Sequence, residues 1–133
     1  MFEDENYTTG FIKYNHNPKG RSTSDCVVRA IAKALDMEWK DVLLDLTNLG
    51  VGKGYTFHDR RVYGEYLTQH GFVKQKQPRK WDNTKYKLGE LGELSKSSVI
   101  LVTIAKHMTV VVDNIVRDTW DCRGKTISNY WIK

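Results

Sequence analysis

The chain predicts an α+β fold, and three observations carry that expectation. Apolar residues recur at three- and four-residue spacing through the first half. From Ser98 onward they give way to runs of β-branched and aromatic residues, and the two kinds of segment follow one another instead of alternating. Helices that precede strands pack as a layer on an antiparallel sheet, because parallel pairing would need a crossover between each pair of strands. At 133 residues the chain has the length of one ordinary domain. A single domain over 1–133 is expected, with a core large enough to need no disulfide.

Residues 1–21 read as polar and loop-like, with one short strand at Phe11-Ile12-Lys13-Tyr14 and a turn-rich loop from Asn15 to Gly20. Ser22 and Asp25 stand at capping-box spacing. Val27, Val28, Ile31, Ala34 and Leu35 then share one face of a helix over 25–35. A second helix is predicted over 38–49 from Trp39, Val42, Leu43, Leu46 and Leu49, with Gly50 as its stop and a flexible connection through Gly52 and Gly54. Thr56 and Asp59 repeat the capping spacing before Val62, Tyr63, Tyr66 and Leu67, which predict a third helix closed by Gly71. Phe72-Val73 reads as a short strand, the stretch to Lys87 as a basic loop, and Leu88, Leu91 and Leu94 as a short helix. Strands are predicted over 99–104, 107–112, 115–121 and 126–132, in an antiparallel meander.

Composition excludes several classes of function. No stretch approaches the roughly 20 apolar residues of a membrane span, so no membrane partner is expected. The opening Met-Phe-Glu-Asp-Glu-Asn has neither the basic start nor the apolar run of a secretory signal, which points to a cytoplasmic location. Cys26 and Cys122 lie far apart without metal-ligand spacing, which argues against a disulfide framework and against a zinc module. Gly50-Val51-Gly52-Lys53-Gly54 lacks the phosphate-cradling pattern. No metal and no cofactor are expected. The net charge is +5, with basic residues gathered at Lys74, Lys76, Arg79, Lys80, Lys85 and Lys87. Such a cluster is either a solvated loop or a surface for nucleic acid or an acidic partner.

Chemistry enters with Cys26, placed where a helix begins, and His107, placed at the head of a strand. A thiol attacks only as thiolate, and a helix N-terminus and an imidazole both lower its pKa. Asp113-Asn114 suits a two-residue hairpin loop. It would set Val112 opposite Ile115, Thr109 opposite Asp118 and His107 opposite Trp120. Asp118 is then the diagonal neighbour of His107 and can hold the ring in one tautomer. A one-residue change in the loop would bring Asp121 there instead. Taken singly, Cys26 also reads as an inert core thiol, His107 as a buried histidine and Trp120 as core. Cys122 falls on the His107 face, as a regulatory thiol or a bystander, and His16, His58 and His70 suit solvent or helix ends.

A cysteine at a helix start, then a histidine on a strand, then an acid followed by tryptophan resembles the papain-like cysteine peptidases. Asp118-Thr119-Trp120 looks like that family's Asn-Ser-Trp segment, whose tryptophan shields the histidine's bond to its orienting residue. Asp25-Cys26-Val27-Val28-Arg29-Ala30, with His107 and Asp118-Thr119-Trp120-Asp121, is similar to small phage and prophage proteins of bacteriocin-leader-peptidase type. The similarity spans about residues 20 to 131, but its specific part is those two motifs. It implies a papain-like fold and a Cys26-His107-Asp118 hydrolase acting on a peptide, isopeptide or other amide bond in a peptide or protein substrate. If the chain is phage-encoded, its location is the host cytoplasm.

The chain departs from that family in having no glutamine before Gln69. Asn15, Asn17 or Ser22 are then the candidates to complete an oxyanion hole beside the Cys26 N–H. Asp25 is a second departure, since a carboxylate next to a thiol raises its pKa unless it caps the helix or pairs with Arg29. Both departures keep open a catalytically inactive papain-fold phage protein that binds a host protein or nucleic acid. An acyltransferase or deamidase on the same triad is a third possibility.

Overall fold

The helical half and the strand-rich half of the sequence meet across a single six-stranded sheet. The computed structural model describes residues 7–133; residues 1–6, part of the expected polar loop, lie outside the described residues. In chain order the elements are β1 (Gly10–Lys13), α1 (Cys26–Leu35), α2 (Trp39–Lys53), α3 (Arg60–Gln69), β2 (Val73–Gln75), a 3-10 helix (Leu88–Glu93), β3 (Val99–Ile104), β4 (His107–Val112), β5 (Ile115–Asp118) and β6 (Asn129–Ile132). The class is α+β, as expected. Among the described residues no helix is long and apolar enough to cross a membrane.

The sheet order is β1-β5-β4-β3-β6-β2. β3, β4 and β5 form the predicted meander, with Val112 opposite Ile115 across the Asp113-Asn114 loop. Both loop residues have positive φ, 50° and 61°, the left-handed pair that asparagine and aspartate tolerate best. Two expectations fail. The sheet is mixed rather than antiparallel, because β1 pairs in parallel with β5. The last strand also leaves the meander: β6 returns to pair with β3, since the far side of β5 is occupied by β1.

Alternation along β3 and β4 divides two apolar clusters. Leu101, Met108 and Val110 face the helices and pack with Val28, Ile31, Val42 and Leu46. Ile100, Val102, Val111 and Val116 face the other way, under Leu88, Leu91 and Ile127. Burial on both faces explains why these strands read as nearly unbroken apolar runs.

Helix ends show where local signals yielded to packing. The predicted stop at Gly50 is overrun, and α2 continues to Lys53 with Gly54 as its left-handed cap, φ 82°. Gly50 is there for another reason: a Cβ at this position would collide with the Tyr55 carbonyl oxygen. Asp25 holds the N-cap position of α1 but makes no capping hydrogen bond, so the Ser22–Asp25 box does not form. Asp59 caps α3 by itself, accepting from the Arg61 backbone N–H at 2.9 Å.

Candidate active site

Cys26 is the first residue of α1, so its sulfur lies at the positive end of a helix dipole. There it is hydrogen-bonded to the His107 side chain and to the Met108 backbone. Burial pushes the thiol's pKa up, but these bonds and the nearby positive charges of His107 and Arg29 outweigh it and hold the pKa below its ordinary value. His107 Nε2 lies 2.6 Å from Asp118 Oδ2. Burial alone would lower the imidazole's pKa; hydrogen bonds to Asp118, Cys122 and Cys26 reverse this and raise it to about 11. Asp118 is 3% exposed, and its carboxyl is held low against its own burial chiefly by His107.

Arg29, one turn along α1, ties this constellation to the helix start. Its Nε donates to Asp25 Oδ1 at 2.8 Å and its Nη1 to Asp118 Oδ1 at 3.2 Å. Asp25 also accepts from Trp39 Nε1 at 2.9 Å and from Asn17 Nδ2 at 3.1 Å. The carboxylate beside the nucleophile is thus engaged by three donors, the pairing with Arg29 among them, in place of a capping bond. Its charge is spent on positioning Arg29. The two buried carboxylates share one guanidinium, which links the helix carrying the thiol to the strand carrying the acid.

The remaining expected residues separate. Trp120, 40% exposed, packs its ring centroid 5.2 Å from that of His107, at the cleft surface and not in the core. Asp121 is not at the site: β5 ends at Asp118, and Asp121 turns out to meet Arg123 at 2.9 and 2.7 Å. Asn17 does not line the cleft: its side-chain amide donates to Asp25 and its side-chain oxygen accepts from the Lys19 N–H. Asn15 likewise serves the loop, bonded to the Arg21 carbonyl and the Asn17 N–H. Ser22 does line the cleft beside Cys26. The cleft is an open cavity of about 650 Å³ with Cys26, Arg29, His107 and Trp120 in its walls.

Two features of the site escaped the sequence, the cleft-lining pair His58 and Tyr63 and the three-residue donor set around His107, whereas Cys122 was expected on the His107 face and is found there. His58 and Tyr63 line the cleft opposite the strands. No spacing relates them to Cys26, since they arrive with the turn before α3 and with α3 itself. Cys122 is fully buried with its sulfur 3.8 Å from Asp118 Oδ2, and burial raises its pKa. His107, Asp118 and Cys122 offer donor atoms within 4.8 Å of one another, the geometry of a metal-ligand set. The short His107–Asp118 bond and the Arg29 guanidinium on the same carboxylate already satisfy its charge. Both cysteines are free thiols.

Away from the cleft, the basic stretch is an ordered turn. The Lys80 N–H donates to the Thr84 carbonyl at 2.7 Å, Lys80 Nζ pairs with Glu90 at 2.6 Å, and Trp81 at the tip is 98% exposed. No family model, no curated protein and no solved structure matches this chain.

Proposed function

We propose that the chain is a papain-like cysteine hydrolase, of phage or prophage type, that cleaves a peptide, isopeptide or other amide bond. The observation that carries this reading is one imidazole, His107, that interacts with both the Cys26 thiol and the Asp118 carboxylate, the latter at 2.6 Å from Nε2. A raised imidazole pKa and a lowered thiol pKa favour an imidazolium beside a thiolate. The Cys26 thiolate attacks the acyl carbon; His107, held in orientation by Asp118, gives its proton to the leaving group; water then releases the acyl-enzyme. The Cys26 N–H at the helix start and the Ser22 hydroxyl are the donors for the developing oxyanion. Transfer of the acyl group to an amine, or deamidation, uses the same three residues and differs only in product.

The test is the rate of Cys26 alkylation by iodoacetamide between pH 4 and 9, with the modified residue mapped by mass spectrometry. Fast labelling well below the free-thiol pKa of about 8.5, lost in His107→Ala, is the expected result. Labelling that rises only near that pKa and is indifferent to His107 would retire the hydrolase.

The exposed Trp81 supports a second reading, in which the basic turn binds single-stranded nucleic acid by stacking and charge. That binding would weaken steeply with salt and lose part of its salt slope when Arg79 and Lys85 are neutralised. A salt-independent signal would exclude it.

A further inference from the structure

We propose that the cleft takes an acidic substrate segment, one carboxylate of which sits in a basic pocket formed by Arg60 and Lys74 beside the candidate nucleophile. The proposal rests on the hydrolase reading above and adds its substrate class.

The pocket is a second cavity, of about 380 Å³, walled by Arg60, Arg61, Lys74, Asn129 and Trp131. Tyr63 and Thr103 line both this cavity and the cleft holding Cys26, so the two are adjacent. Neither is lined by an aspartate or a glutamate. The cations in the walls fall into two groups. Arg29 is neutralised by Asp25 and Asp118, and Arg61 by Asp59 at 2.8 Å. Arg60, Lys74 and Lys106 form no ion pair with a carboxylate among the described residues; Asp59, next to Arg60, feels its charge but is paired with Arg61. Lys106 is presented at the tip of the β3–β4 turn, where its φ is 54°. Lys74 lies with its Nζ 6.0 Å from the centroid of the Trp131 ring. The Trp131 side chain is itself 5% exposed, and its indole N–H has no hydrogen-bond partner.

A concave site whose unpaired charges on Arg60, Lys74 and Lys106 are all positive focuses a positive potential there. A basic peptide would be repelled from it, and a neutral one would leave all three unpaired cations uncompensated. A glutamate or aspartate in the Arg60–Lys74 pocket completes the charge balance. A peptide carboxylate is favoured over a nucleic-acid phosphate because the cleft leads to a thiol, whose substrates are acyl carbons.

The experiment uses tetrapeptide acyloxymethyl ketones with glutamate placed in turn at each position, each compared with its glutamine counterpart, and reads the second-order rate of Cys26 labelling. At one position glutamate should label roughly fivefold faster or more, the scale of a partly exposed ion pair. That advantage should fall toward unity at high salt and in the Arg60→Gln/Lys74→Gln double variant, while Lys19→Gln leaves it intact. Fast labelling with no glutamate advantage at any position would overturn the acidic substrate and leave the hydrolase standing. If no reagent labels Cys26, calorimetric titration of Cys26→Ala with the same peptide sequences as amides decides. Tighter binding of a glutamate peptide that depends on Arg60 and Lys74 keeps the pocket and retires the nucleophile. Equal or absent binding overturns the pocket.

Discussion

The Arg29 network and the Lys80–Thr84 turn both set cations beside carboxylates, yet they differ in what each charge is worth. Arg29 and its two aspartates lie inside the protein, with side chains 12%, 4% and 3% exposed. Each charge there has left water and depends on its partner, so removing one member strands the others. In the turn, the Lys80 side chain is one-third exposed and its pair with Glu90 remains hydrated; such pairs contribute little. Trp81 beside it is left almost wholly in solvent. The difference teaches that the interior charges organise the site, whereas the surface ones can be changed at little cost to the fold.

The sharpest way to break this comparison is Asp25→Ala. It leaves Arg29, Trp39 Nε1 and Asn17 Nδ2 without their shared acceptor, and a loss of about 3–5 kcal/mol in urea unfolding is expected. A change under about 1 kcal/mol would mean that the interior network is as weak as the surface one.

A second, smaller effect follows from linkage. The folded chain keeps the His107 proton up to about 11, whereas the unfolded chain releases it near 6.5, so this contribution to stability is full below 6.5 and is lost as pH rises toward 11. Cys26 opposes it, because its folded pKa lies below the 9.0 of the free thiol and its contribution grows as pH rises toward that value. Wild type should therefore lose stability as pH rises from about 6.5 to about 11, most steeply above about 9, where Cys26 no longer offsets the loss. Cys26→Ala should extend the steep loss downward toward pH 6.5, and His107→Ala should flatten it. Urea midpoints measured across that range in the three proteins check the sign.

The smallest expected effect is Trp81→Ala, under about 0.5 kcal/mol in stability because the side chain is in water in both states. On the nucleic-acid reading, its consequence should appear as weaker binding of single-stranded nucleic acid. A large destabilisation would show that the turn is part of the core after all.

Much of the fold was legible in local pattern. The three helices and the β3–β4–β5 meander followed from periodicity, and the Asp113-Asn114 loop led to the register that puts His107 diagonal to Asp118. Local signals misled where a distant segment intervened. Gly50 ends no helix, because its missing Cβ makes room for the returning chain at Tyr55, and Ser22–Asp25 forms no box, because buried donors claim the carboxylate first. Asn17 was lost to the same carboxylate.

What the sequence by itself determined is the period of each segment and the face on which its side chains fall, since these depend on neighbours a few positions away. The tertiary structure alone decided that β1 and β6 flank opposite sides of the meander, that one guanidinium joins Asp25 to Asp118, and that a basic pocket adjoins the cleft at Tyr63. Those are contacts between residues far apart in the chain, and no local spacing encodes them. They exist because burying both faces of the sheet brings distant segments together, and the aspartates buried there, Asp25 and Asp118, are held by donors from those segments.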